Sequence, residues 1–198
     1  MLFEEKTIDS QVLVQGGFLK LRRDTVRLPD GKESTREYVV HPGAVMIIPI
    51  LPGGRVVLER QYRYPVRELV IEFPAGKIDP GEGMQACAQR ELLEETGYTA
   101  RQWAYAGPVY PCIGYSDEVI EVWLARDLQA GPAQLDEGEF VETFTASLEE
   151  LEQWMLDGTI KDCKTLAGLH WLYALHRGQL NLQWLPDLGS AAETGEEG

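Results

Sequence analysis

Gly76 to Tyr98 reads GKIDPGEGMQACAQRELLEETGY, in which Glu82 is followed by Arg90, Glu91, Glu94 and Glu95 and the run closes on Gly97. From Gly83 to Thr96 it holds no proline and sets Met84, Ala86, Ala88, Leu92 and Leu93 among charged residues, which predicts a helix with Gly97 as its C-terminal stop. Glu91 and Glu95 are four apart, so a helix puts them on one face about 6 Å apart along its axis, with Glu94 beside them. Like charges crowded on one stripe repel, and clustered carboxylate oxygens are the hard donors that Mg²⁺ or Mn²⁺ prefers. An acidic stripe alone is more often a solvated face, with Arg90 reaching Glu94 as an ordinary i,i+4 pair. The preceding loop, EFPAGKIDPGE, reverses that weighing. Pro74, Gly76, Pro80 and Gly81 fix an irregular backbone between an apolar strand and the helix, and the two glycines are expected in conformations closed to other residues, which lets carbonyls such as that of Ala75 face a cation.

Outward from this run the chain alternates strands and turns. Gln11 to His41 contains GGFLKLRRDTVRL and ESTREYVV around Pro29-Asp30-Gly31, which predicts a hairpin. Ala44 to Ile50 and Arg55 to Arg60 are β-rich and separated by Leu51-Pro52-Gly53-Gly54, a second hairpin signal, and Glu68 to Phe73 leads into the loop. Downstream, Gln102 to Tyr110, Glu118 to Ala125 and Phe140 to Ala146 read as strands, so a mixed sheet is implied. Ser147 with Glu150 forms a capping-box pattern opening a helix to Met155, and Asp162 opens a last helix through Leu175. Phe18 and Trp103 are large aromatics, expected in the core.

The chain has 198 residues, 44% of them hydrophobic, enough for one globular domain with a small appended part. A net charge of −14 and the lack of any basic run argue against a nucleic-acid partner. Cys87, Cys112 and Cys163 are odd in number and form no CxxC pair, which fits a reducing cytoplasm. No stretch has the length and apolarity of a membrane span, and MLFEEKTIDS has no signal-peptide character. His41, His170 and His176 lack metal-ligand spacing, and no GxSxG elbow occurs, so water is the expected nucleophile.

At every defining position, Gly76 to Tyr98 resembles the Nudix box. With seven fixed identities at roughly 6% usage each, a chance match in a chain of this length falls below about one in a million. STREYV, LERQYRYPV, IEFPAGKID, YPCIGYSDE and DEGEFVE extend the likeness from about residue 36 to about 176 and are similar to the ADP-ribose pyrophosphatase branch of the family. The resemblance implies an α/β fold of α+β type: an α/β/α sandwich with a mixed sheet over 43–180 and a small N-terminal β subdomain over 1–42 that pairs two chains into a homodimer. Residues 186–198 carry Asp187, Glu193, Glu196 and Glu197 with no base, which predicts a mobile acidic tail.

The resemblance also implies roles. Glu91, Glu95, Glu82 and the Ala75 carbonyl would hold Mg²⁺ or Mn²⁺, with Arg90 and Glu94 in the catalytic machinery and Glu139 or Glu137 as base or late ligand. Arg36, Arg63, Glu72, Gly114, Asp117 and Glu118 would contact substrate; an arginine offers a planar two-point fork to phosphate. The expected reaction is hydrolysis of a nucleoside diphosphate sugar, ADP-ribose giving AMP and ribose 5-phosphate. Ile113 stands where that branch commonly has proline, which keeps GDP-mannose or broader nucleotide-sugar hydrolysis as an alternative, and a non-catalytic nucleotide-sugar-binding module as another.

Overall fold

The computed structural model describes residues 3–189, so the sequence beyond them, including most of the expected acidic tail, lies outside the described residues. Contacts divide the chain into two units, Met1–Gly43 with Tyr110–Val119, and Ala44–Val109 with Ile120–Gly198.

The larger unit is built on strand β4, Ala44–Pro49, whose six residues AVMIIP are all buried. A strand so uniformly apolar must be covered on both faces and paired at both edges. β4 pairs in parallel with β9, Ile120–Ala130, and antiparallel with β7, Ala75–Lys77. β8, Tyr98–Val109, pairs antiparallel with β9, and the two-residue β11, Leu185–Pro186, adds to β8. The mixed sheet thus runs β11-β8-β9-β4-β7. Pro186, placed by the sequence reading at the start of a mobile tail, is held opposite Gln102.

Successive side chains of β4 point to opposite faces, and the core divides accordingly. Val45 and Ile47 join Cys87, Ala88, Leu92, Trp103 and Trp123 on the side of helix α1, Met84–Thr96. Met46 and Ile48 join Leu58, Ile71, Phe73, Leu151 and Leu169 on the side of helices α2, Leu148–Leu156, and α3, Cys163–His176. Each fully buried Leu, Ile or Phe contributes roughly 1.5–3 kcal/mol of transfer free energy, so the two layers are the main hold on the sheet. Helix starts follow the sequence: Ser147 and Glu150 form the reciprocal capping box of α2, and Asp162 caps α3 by accepting from the Thr165 amide at 2.9 Å. Trp103 is in the core as expected.

Of the second hairpin only the turn forms, closed by the Leu51 amide on the Arg55 carbonyl at 2.8 Å and an Ile50–Val56 bridge. β5, Val56–Arg63, then belongs to a three-stranded sheet ordered β10-β5-β6, where β6 is Glu68–Glu72 and β10 is Val141–Ala146. Both edges of β4 are taken by β9 and β7, so the chain leaving Pro49 has no edge to fold back on. Gly53 and Gly54, both at φ +84°, turn it into the other sheet.

The smaller unit is an antiparallel sheet of β1, Lys6–Gln15, β2, Lys20–Arg27, and β3, Glu33–Val40. The expected β2–β3 hairpin is present, and β1 adds a third strand that polar alternation did not announce. The 110–119 segment joins this unit through a Val39–Ser116 bridge and a 2.7 Å bond from the His41 amide to Asp117. Phe18, expected in the core, is 53% exposed and sets its ring edge-on against His41.

Candidate active site

Helix α1 carries the acidic run and is stopped as the sequence requires. Gly97 has φ +73°, and its amide donates to the Leu93 carbonyl at 2.9 Å. A side chain there would also strike backbone, because a Cβ at Gly97 would lie 2.3 Å from the Gly131 carbonyl oxygen. The helix thus ends at Thr96 for a conformational reason and a packing reason together.

Arg90 organises the exposed part of the cluster. Its Nε and Nη2 donate to both Glu82 oxygens at 2.9 Å, and Nη1 donates to Glu91 at 2.7 Å and to Glu94 at 3.0 Å. The Arg90–Glu94 pair expected from spacing exists, but as one arm of a four-residue net. Nη2 also reaches the Lys77 carbonyl at 3.1 Å, tying α1 to β7. The Arg90 hydrogen bonds hold the Glu82 carboxyl down at about 2, so it stays charged.

The buried part lies where α1 faces β5 and the start of β7 at Ala75 and Gly76. Glu95 is 7% exposed and accepts the Ala75 amide at 3.0 Å. Glu91 sits against Gly76, where a Cβ would lie 1.9 Å from its carboxyl carbon. Gly76 is not among the positive-φ residues, which corrects the expectation that it supplies an unusual backbone conformation; it supplies room. Gly81, at φ +83°, does meet that expectation.

One member of the cluster escaped the sequence reading. Glu59, in the middle of β5, is fully buried and stands directly opposite Glu72 in the β5–β6 register. Like charges opposite one another on a sheet face are destabilising, and a buried charge without partners is more so. Among the described residues no N–H or hydroxyl reaches either Glu59 oxygen. Its titratable neighbour is the Glu95 carboxyl, and the two acids perturb one another directly. Burial, then the neighbouring Glu72 charge, raises Glu59, while burial, then the Glu59 and Glu91 charges, raises Glu95. Burial also raises Glu91 against the pull of Arg90. The available signal was weak: a Glu at an inward position of VVLERQYR, between strands whose partners are far away in sequence.

Four buried acids, Glu59, Glu72, Glu91 and Glu95, therefore gather where charge is costly. Glu72 is neutralised by Arg63, through bonds of 2.6 and 2.7 Å, and by Lys164. Because Arg90 is shared by Glu91 with Glu82 and Glu94, ionising Glu59, Glu91 and Glu95 together would leave excess negative charge there. Their donor chemistry, the orphaned Glu59 oxygens and the space at Gly76 fit a hard divalent cation. As they stand, no three Asp, Glu, His or Cys side chains among the described residues converge to hold one, since Arg90 engages Glu82, Glu91 and Glu94.

This charge excess makes the cation-free fold sensitive to pH. A carboxyl whose folded pKa is raised stabilises the fold below its unfolded value and loses that contribution as pH rises through the folded one. The Glu59–Glu95 pair should therefore cost stability from about pH 4.5 through about 7 and beyond. Melting of chelator-treated protein is expected to fall over this range, and Glu59→Gln should raise melting at pH 8. Flat melting curves for both proteins would exclude uncompensated charge at this pair.

The remaining expected residues fall in three places. Arg63 ends β5 and is anchored on Glu72, with its side chain 41% exposed. Glu137 and Glu139 are exposed on the β9–β10 loop around Gly138, and the Glu139 charge reaches Glu91 electrostatically. Arg36, Gly114, Asp117 and Glu118 belong to the smaller unit. There Arg36 forks onto Glu5 at 2.9 and 2.5 Å, and His41 lies 3.7 Å from Glu118.

The NUDIX domain family matches residues 40–165, and the nucleoside diphosphate sugar hydrolase N-terminal domain matches residues 5–39. The chain is 40% identical to the methanol dehydrogenase activator of Bacillus methanolicus over 86% of its own length and 94% of the relative's. It is 37% identical to an ADP-ribose pyrophosphatase of Bacillus subtilis, over 85% and 92%. A crystal structure of an ADP compounds hydrolase superposes with a TM-score of 0.78 at 22% identity, covering 91% of this chain and 99% of that one, a likeness of fold.

Proposed function

The chain belongs to the Nudix family, and from that premise we propose that it hydrolyses the pyrophosphate bond of a nucleoside diphosphate sugar, ADP-ribose first among them, to AMP and ribose 5-phosphate. The observation that carries the reading is the meeting of Glu59, Glu91 and Glu95 beside Ala75 and Gly76 of β7, an acid cluster whose burial its own cations do not offset.

Nudix hydrolases depend on divalent metal ions, and Mg²⁺ or Mn²⁺ suits an all-oxygen donor set. Glu91 and Glu95, with Glu94, Glu82 and the Ala75 carbonyl, would hold it, and Glu59 adds a further buried carboxylate behind them. When bound, the ion supplies positive charge against the pyrophosphate oxygens and acidity to water. Gly76 keeps Glu91 in place by leaving its carboxylate room. Arg90 keeps Glu82 charged and steadies Glu91 and Glu94. Arg63 presents its exposed edge to a phosphate while Glu72 fixes its inner edge. Glu139, or Glu137 beside it, takes the proton from the attacking water.

Substrate contacts from Arg36, Gly114, Asp117 and Glu118 and homodimerisation through the N-terminal strands belong to the same proposal, supported by the match of residues 5–39 to an N-terminal domain of nucleoside diphosphate sugar hydrolases. Three cysteines, odd in number and without a CxxC pair, support a cytoplasmic setting. Among the described residues no helix is long and apolar enough to cross a membrane.

Product analysis with Mg²⁺ tests the reading, comparing ADP-ribose, GDP-mannose, diadenosine polyphosphate and nucleoside triphosphates at equal concentration. AMP with ribose 5-phosphate as dominant products is expected. Preference for GDP-mannose or for many sugars would move the specificity to the broader alternative, in keeping with Ile113 being 84% exposed rather than a proline. Binding without turnover would leave a ligand-sensing module.

A further inference from the structure

α3 opens on its cap Asp162 followed by Cys163-Lys164-Thr165; Lys164 and Thr165 turn back onto the end of β6, and Asp162 bonds both. Thr165 is fully buried, donates its hydroxyl to Asp162 at 2.7 Å and accepts the Phe73 amide at 3.0 Å. Lys164, with only 12% of its side chain exposed, bonds Asp162 at 3.0 Å and the Glu72 carboxylate. Glu72 and Phe73 immediately precede Pro74 and β7, so the first turn of α3 clamps the chain that leads into Ala75 and Gly76.

Glu72 is 2% exposed and receives Arg63 on both oxygens, while its Oε2 is shared with Lys164. Arg63 spends Nε and Nη2 on this fork, and among the described residues Nη1 makes no hydrogen bond. We propose that Lys164 is a positioning residue for substrate: by fixing the Glu72 carboxylate from the α3 side, it holds Arg63 in the orientation that turns Nη1 outward to a phosphate. The inference rests on the pyrophosphatase reading above and assigns a role to a residue outside the Nudix box and its loops.

The physical reason is geometric. A carboxylate bound by one cation can turn about its terminal bond and take the guanidinium with it; one bound on two sides cannot. Glu72 has particular need of the second cation because the Glu59 carboxylate stands opposite it. Burial opposes charge on Glu72 and on Lys164, yet the Arg63–Glu72–Lys164 contacts prevail, keeping Glu72 below the usual carboxylate range and Lys164 above the usual amine range.

The test is a double-mutant cycle of Lys164→Met and Arg63→Ala, reading KM and kcat for ADP-ribose separately, since coupled residues are non-additive and independent ones add. Lys164→Met is expected to raise KM about tenfold, the scale of one hydrogen bond to a charged group, with kcat within about threefold. In the Arg63→Ala background the same substitution should leave KM within about twofold. A structural role alone would lower melting and give the same fold-change in both backgrounds, and that result, or an unchanged KM, overturns the proposal. If Lys164→Met does not fold, Lys164→Gln keeps hydrogen-bonding capacity without the charge and carries the same expectation. An inactive wild type would overturn the pyrophosphatase reading itself, whereas an active wild type with additive variants overturns only the role of Lys164.

Discussion

Glu95→Gln is expected to lower kcat for ADP-ribose hydrolysis by about a thousandfold, the scale found when a group that stabilises transition-state charge is removed. The fold should tolerate the change. Glutamine has nearly the shape of glutamate, its side-chain carbonyl can still accept the Ala75 amide, and its amide nitrogen can donate toward Glu59, which receives no N–H or hydroxyl in the native cluster. Glu95 itself keeps a proton in the cation-free state, so the substitution replaces a neutral acid by a neutral amide there and should leave chelator-treated melting within a few degrees. The difference arises when a divalent cation displaces that proton. Mg²⁺ is expected to raise wild-type melting at pH 8 and to raise that of Glu95→Gln much less. Turnover within fivefold of wild type would remove Glu95 from the proposed ligand set, whatever the melting curves did.

Gly76→Ala is expected to reduce activity about a hundredfold while costing little stability, an unusual outcome for a change beside a buried cluster. Its backbone is not in the left-handed region, so alanine adopts it without strain. The conflict is with the tip of Glu91, whose carboxyl carbon and oxygens lie 1.9 to 2.2 Å from the new Cβ. A glutamate tip moves at low cost, and it moves away from Ala75 and Gly76 of β7. Turnover should therefore fall as Glu91 leaves its place, with melting shifted by only a few degrees. Full activity in this variant would mean that the seat of Glu91 against Gly76 has no part in catalysis. A large loss of melting temperature would mean that the glycine serves the backbone after all, as the sequence alone had suggested.

The two substitutions mark where the sequence is legible and where it is not. Glu91, Glu94 and Glu95 declare themselves because a helix converts spacing of three and four into a shared face, and α1 has the boundaries that Gly83 and Gly97 foretell. The helix caps at Ser147 and Asp162 are equally local and equally readable. Glu59 is not, because its meaning depends on partners that backbone pairing and packing bring from residues 72 and 95. Lys164 is hidden for the same reason: its carboxylate lies 92 positions earlier in the chain. The expected β4–β5 hairpin failed on topology, since the turn residues were right and the edge was already occupied. Phe18 failed on burial, for an aromatic in an alternating strand-rich stretch gives no sign of which face is covered.

β5 lies between β6, which follows it at once, and β10, which arrives about eighty residues later. During synthesis, the first carboxylates of the cluster emerge long before the strand that walls them off and the helix turn that locks Phe73. Loop closure over such separations is slow compared with forming α1 or the β5–β6 pair. In the interval Glu59 and Glu72 remain hydrated, ionise as ordinary surface acids and lack the dry, crowded setting that favours a cation. A chain that stops short of Thr165 should therefore be inert even with every box residue present. On the proposed function, that inertness would defer cleavage and trapping of nucleotides until the late strand and helix are in place.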